Sequence, residues 1–179
     1  MNSEIVENLD GSFTHYTYIE PNQETMQSMV EILFERHWRD IVVGPCIEGA
    51  VFEVRFSEPP KTSMLDGYLT VDLGHWHFHL CIGEHRGTPS AELARKRRVS
   101  RVAFFETRSS KCGGGRSWGL RLWNGFNEQM ITVFLPSPFL SDERKFLKEP
   151  KWERLKLWYE LRHRFLGEPI PEDINRLID

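Results

Sequence analysis

Apolar and polar positions along the chain recur with two different periods, and each change of period marks an element. Phe13 to Ile19 (Phe-Thr-His-Tyr-Thr-Tyr-Ile) is rich in aromatic and β-branched residues and stops at Pro21, the profile of a first strand. From Gln23 to about Trp38, with Asn22 as cap, the residues Met26, Met29, Val30, Leu33 and Phe34 recur at helical spacing, which predicts an amphipathic helix packed on a sheet. Gly44-Pro45 interrupts the chain, after which Ala50 to Phe56 alternates apolar with charged residues as a half-buried strand does, closed by Pro59-Pro60. Gly67 to Leu73 and His75 to Ile82 read as two strands parted by a bend at Gly74, either a tight hairpin or one kinked strand. Ser90 to Arg98 reads as a helix with a basic face. Strands are expected near Val102 to Thr107, Trp118 to Trp123 and Gln129 to Leu135, the last two joined by a turn at Gly125-Phe126-Asn127. Lys151 to Leu166 carries Trp152, Leu155, Trp158, Tyr159 and Phe165 on one side and stops at Gly167, a second amphipathic helix. The prediction is an α+β fold in a single domain over residues 1–179: a mostly antiparallel sheet of about seven strands with an N-terminal and a C-terminal amphipathic helix.

One strand stands apart chemically. In an extended segment alternate side chains share a face, so His75, His77, His79 and Cys81 are expected on one side, with Trp76, Phe78, Leu80 and Ile82 on the other, in the core. A face so dense in imidazole and thiol suggests a metal site. A rise of roughly 3.3 Å per residue sets the outer members of the run too far apart to share one ion. Two neighbours such as His77 and His79 can converge on one ion, Cys81 can join if the strand bends, and the other ligands must come from elsewhere. Glu84, His85, His15 and Cys112 are the candidates for that second wall. Mixed imidazole and thiolate donors favour a transition metal, zinc or iron first, over magnesium or calcium.

Composition narrows the setting. The chain has 179 residues, 40% of them hydrophobic, and a formal net charge of −3, which gives no general attraction to nucleic acid or to an anionic membrane. Nucleic acid is therefore not expected as a partner, and Arg95-Lys96-Arg97-Arg98 with Arg101 reads as a solvated helix face. No apolar run reaches the length of a membrane span and Met1 to Glu7 lacks the layout of a signal peptide, so no membrane partner and a cytoplasmic location are expected. Three widely spaced cysteines, Cys46, Cys81 and Cys112, suggest thiols and no disulfide framework. Cys112-Gly113-Gly114-Gly115-Arg116 lacks the Lys-Ser/Thr that completes a phosphate loop, which leaves an anion nest, a lid over the histidines or a plain turn. The tryptophans read as core.

Several family resemblances attach to these residues. His75-Trp-His77-Phe-His79-Leu-Cys81 resembles the histidine-triad signature of nucleotide hydrolases and transferases, which implies His77 as a nucleophile toward phosphorus, oriented by His75 and His79. His77-Phe-His79 with Glu84 resembles half of a cupin metal motif. The longer set His77-Phe-His79-Leu-Cys81-Ile-Gly83, Ser117-Trp118-Gly119-Leu-Arg121-Leu-Trp123-Asn124-Gly125 and Phe134-Leu-Pro136-Ser-Pro138-Phe139 resembles a family of short uncharacterised bacterial proteins, and more distantly a region of cobaltochelatases of the CbiX type. That resemblance implies metal binding, and an accessory role in metal or tetrapyrrole metabolism, without an established reaction. A partner-binding protein with incidental histidines is the third expectation.

Overall fold

A computed structural model describes residues 2–109 and 115–174. In chain order its strands are Ser3–Glu7 (β1), Phe13–Ile19 (β2), Val42–Gly44 (β3), Cys46–Ile47 (β4), Ala50–Val51 (β5), Lys61–Leu65 (β6), Tyr68–Asp72 (β7), His77–Cys81 (β8), Val99–Arg108 (β9), Arg116–Asn124 (β10) and Gln129–Phe134 (β11). The helices are Gln23–Val30 (α1), Ala91–Arg97 (α2) and Lys156–Leu166 (α3). Six strands form an open sheet in the order β1-β2-β9-β10-β11-β3, three form the meander β6-β7-β8, and β4 pairs with β5. Every strand pairing among the described residues is antiparallel. The α+β class and the mostly antiparallel pairing are as the sequence predicts.

The expected count of about seven strands gives way to eleven among the described residues. The four additions, β1, β3, β4 and β6, are short or exposed: all of β1 and most of β6 are exposed, and β3 and β4 have three and two residues, too little for a periodic signal. Conversely, the strand expected over Ala50 to Phe56 shrinks to Ala50–Val51, with a further two-bond bridge between Val54 and Val43. Alternation was present there, but Val51 and Phe52 find no core to enter and stay exposed. The first helix winds as α through Val30 and then continues as a π-helical turn, Glu31–Arg36, closed by His37 N–H donating to Ile32 O at 3.0 Å. Asn22 caps its start through Oδ1, which accepts from Thr25 N–H at 2.8 Å. The C-terminal helix opens with a 3₁₀ turn, Trp152–Leu155, and Gly167 ends it in the left-handed region at φ +71°.

One core fills the space between the two larger sheets. Val102, Phe104, Trp118, Leu120, Leu122, Ile131 and Val133 of the large sheet meet Met26, Met29 and Leu33 of the first helix and Trp158 and Leu161 of α3. The same core takes Leu69, Val71, Leu80 and Ile82 from the meander. Phe104 is buried completely, and Trp158 meets its ring edge-on at 5.5 Å. Among the described residues no helix contributes to the small cluster on the reverse face of the large sheet, where Tyr16, Ala103, Phe105 and Trp123 pack on one another. Arg101 lies over Trp123 at 4.4 Å and Arg121 over Phe105 at 4.7 Å, so guanidinium planes help to cover those rings. Gly119 permits this arrangement, because a Cβ there would stand 2.2 Å from Val133 O and 2.7 Å from Phe105 Cε1.

Candidate functional site: an imidazole pair on the meander

The meander sets the histidines. β7 and β8 pair with Asp72 opposite His77, Thr70 opposite His79 and Tyr68 opposite Cys81. The link is a tight hairpin turn: Leu73 N–H donates to Trp76 O at 2.7 Å, Gly74 takes φ +80°, and Asp72 Oδ1 accepts from Gly74 N–H at 2.8 Å. His75 and Trp76 belong to that turn, and the strand begins only at His77. The expectation that Trp76 is a core residue is therefore corrected: it is 68% exposed, its ring 6.5 Å from that of Phe52. Once the chain turns at Gly74, strand alternation no longer governs residue 76. Leu80 and Ile82 do enter the core and Phe78 packs partly against it, its ring 6.0 Å from Phe34.

On the outer face, His77 and His79 are both exposed and their rings lie 5.2 Å apart, tilted by 64°. His79 Nδ1 is 2.8 Å from Thr70 Oγ1. When Nδ1–H donates to the hydroxyl, the lone pair sits on Nε2, facing away from the strand partner. Asp72, across the ladder from His77, is the residue that linear reading missed. Its place depends on the hairpin register, and the signal available was the Gly74 turn, which pairs 72 with 77 once its length is known.

The remaining members of the run have different surroundings. Cys81 follows the alternation but is 2% exposed, and lines a cleft of about 640 Å³ beside Arg95 of α2 and Arg98 just after it. Burial pushes its thiol above the ordinary cysteine range, a hydrogen bond with Tyr68 opposing the shift, and Sγ donates to Gly83 O at 3.6 Å. Glu84 and His85 line the same cleft, and His85 is held by Asp66 at 2.8 Å and by the edge of the Tyr68 ring at 5.2 Å. His15 is exposed on β2, in the large sheet, opposite Ile5 and Glu106. Cys112 lies outside the described residues. The structure thus brings His77 and His79 together, gathers Cys81, Glu84 and His85 in a cleft, and sets His75 in the turn. Among the described residues, no group of three or more His, Cys, Asp or Glu side chains stands together in a metal-holding arrangement.

No helix among the described residues is long and apolar enough to cross a membrane. No curated protein matches the chain. A model of a family described as a family of unknown function (DUF7676) matches residues 3–167, a span that holds both larger sheets, all three helices and the imidazole pair. With nearly the whole sequence inside that match, the chain belongs to the DUF7676 family.

Proposed function

We propose that the protein binds one transition metal, zinc or iron, through His77 and His79, and that it serves as an accessory factor that receives and releases the ion. The observation that carries this reading is the pair of exposed imidazole rings 5.2 Å apart on a strand whose other face is anchored in the core. Metal–nitrogen bonds of about 2.0–2.1 Å bring two ligating nitrogens to roughly 3 Å of each other, within reach of side-chain rotation at these two residues. Thr70 holds His79 by its second nitrogen, the support that metal-ligating histidines usually have. Asp72 is the nearest carboxylate in the ladder, and turning it away from Gly74 N–H completes a two-histidine, one-carboxylate set. A metal held there would supply Lewis acidity at its open positions. Cys81 is left out of the set, because a buried thiol raised above its ordinary pKa resists the thiolate form that ligation needs.

An exposed pair suits exchange of an ion more than permanent storage, which is consistent with an accessory role in metal or tetrapyrrole metabolism. Elemental analysis of protein purified without a histidine tag is the test. Roughly one zinc or iron per chain is expected, falling to background in the His77→Ala, His79→Ala double variant. Background metal in the parent protein, or undiminished metal in the variant, would contradict the reading.

A further inference from the structure

Away from the histidines, a cavity of about 430 Å³ opens between the end of the first helix, the end of β11 and the segment 140–144. Its volume lies in the range of small-molecule sites. Five arginines line it, Arg39, Arg55, Arg116, Arg144 and Arg154, against three carboxylates, Asp40, Glu53 and Asp142, leaving two positive charges in excess. The arginines are not equally engaged. Arg154 donates to Asp142 Oδ1 at 2.6 Å and to Ser137 O at 3.1 Å, and Arg55 donates to Asp142 O at 2.7 Å, so these two tie the rim together. Arg116 reaches Glu106 at 2.6 Å through Nη2, while its buried Nε has no hydrogen-bond partner. Arg39, Arg55 and Arg144 form no ion pair with a carboxylate among the described residues. Arg144 takes a left-handed backbone, φ +60°, unusual for a residue with a side chain.

We infer that this cavity is a binding site for a small organic dianion, a phosphate monoester or a dicarboxylate. Guanidinium groups present planar pairs of donors that match the oxygens of either head group, and among the described residues Arg39, Arg55 and Arg144 hold no ion pair that an anion would have to displace. Val42, Phe134, Leu135 and Leu140 supply an apolar wall for a carbon skeleton. A concave site of this size favours a small molecule over a protein or nucleic-acid surface. The site shares no lining residue with the imidazole pair and does not depend on it.

Isothermal titration calorimetry of the full chain at physiological ionic strength tests the assignment with glycerol 3-phosphate, succinate and uncharged glycerol as probes. Saturable binding of one or both dianions, and none of glycerol, is expected; the stronger of the two names the head group. Arg39→Ala and Arg144→Ala, whose guanidiniums hold no ion pair, should each weaken binding about tenfold or more. Arg36→Ala, outside the cavity lining, should leave it unchanged. Matching circular dichroism and thermal midpoints establish that the variants are folded. The His77→Ala, His79→Ala double variant should bind the dianion normally, so failure here is separable from failure of the metal reading. Absence of binding by either dianion up to millimolar concentration, or binding that Arg39→Ala and Arg144→Ala leave intact, would overturn the inference.

Discussion

The two larger sheets obey the same alternation of side chains and put it to different uses. In the six-stranded sheet both faces carry aromatic residues: Phe104 and Trp118 face the helices, while Tyr16, Phe105 and Trp123 cover the reverse side with arginines laid over them. In the three-stranded meander the inner face supplies the core residues Leu69, Val71, Leu80 and Ile82, and the outer face carries the half-buried Thr70 and Asp72 and the exposed His77 and His79, with Leu65 exposed at one end. The large sheet therefore carries stability on both sides. The meander takes its stability from one side and is free to carry chemistry on the other. A histidine pair on a strand becomes a candidate site here because the register beneath it is fixed by Leu80 and Ile82 in the core, since a slip of one residue would turn both imidazoles inward.

Substitutions in the two sheets should separate these roles. The largest effect is expected at Phe104→Ala, which empties a fully buried position against Trp158 and should lower unfolding free energy by about 3–5 kcal/mol in a denaturant titration. A loss below about 1 kcal/mol would show that the helix-covered face is not the structural centre.

An intermediate effect, visible only in acid, is expected at Glu106 on β9. Burial raises its pKa, but hydrogen bonds and charge from Arg108 and Arg116 outweigh that and hold it below the usual glutamate range. Because the folded value is depressed, its stabilisation is present above the ordinary glutamate pKa and is lost as pH falls through the folded one. Stability measured against pH should decline in that acid window, and Glu106→Gln should flatten the decline; an unchanged profile would mean that the arginines do not stabilise the charged form.

The smallest effect on folding is expected at the histidines. Both are exposed, so the His77→Ala, His79→Ala double variant should stay within about 0.5 kcal/mol of the parent in metal-free buffer while losing metal affinity. A large loss of stability would make the pair structural and dissolve the contrast between the sheets.

Legibility in the sequence followed the range of the interactions. Phe13–Ile19 emerged with the boundaries that its composition suggests, and the hairpin of β10 and β11 followed from the turn at Gly125-Phe126-Asn127 and the apolar runs on either side, because local periodicity and turn chemistry specify both. Gly167 likewise ended α3 where expected. By contrast, β1 and β6 owe their state to partners elsewhere in the chain and present mostly exposed residues, so their pattern alone could not show them. The histidine strand was half legible. Its inward residues were right from Phe78 onward, but the hairpin turn removed His75 and Trp76, and the cleft beside α2 took Cys81. Asp72 and the five cavity arginines were invisible for one reason: register and tertiary packing assemble them from positions as far apart as 39 and 154.

The central claim is that His77 and His79 together hold the ion, and the most direct measurement is a zinc titration of tag-free protein followed by ¹⁵N-edited NMR of the seven histidine side chains. The account predicts saturable changes at the ring nitrogens of His77 and His79 near one equivalent of zinc, with His15 and His163 unaffected. Changes at other histidines with His77 and His79 undisturbed, or no saturable change at all, would contradict it.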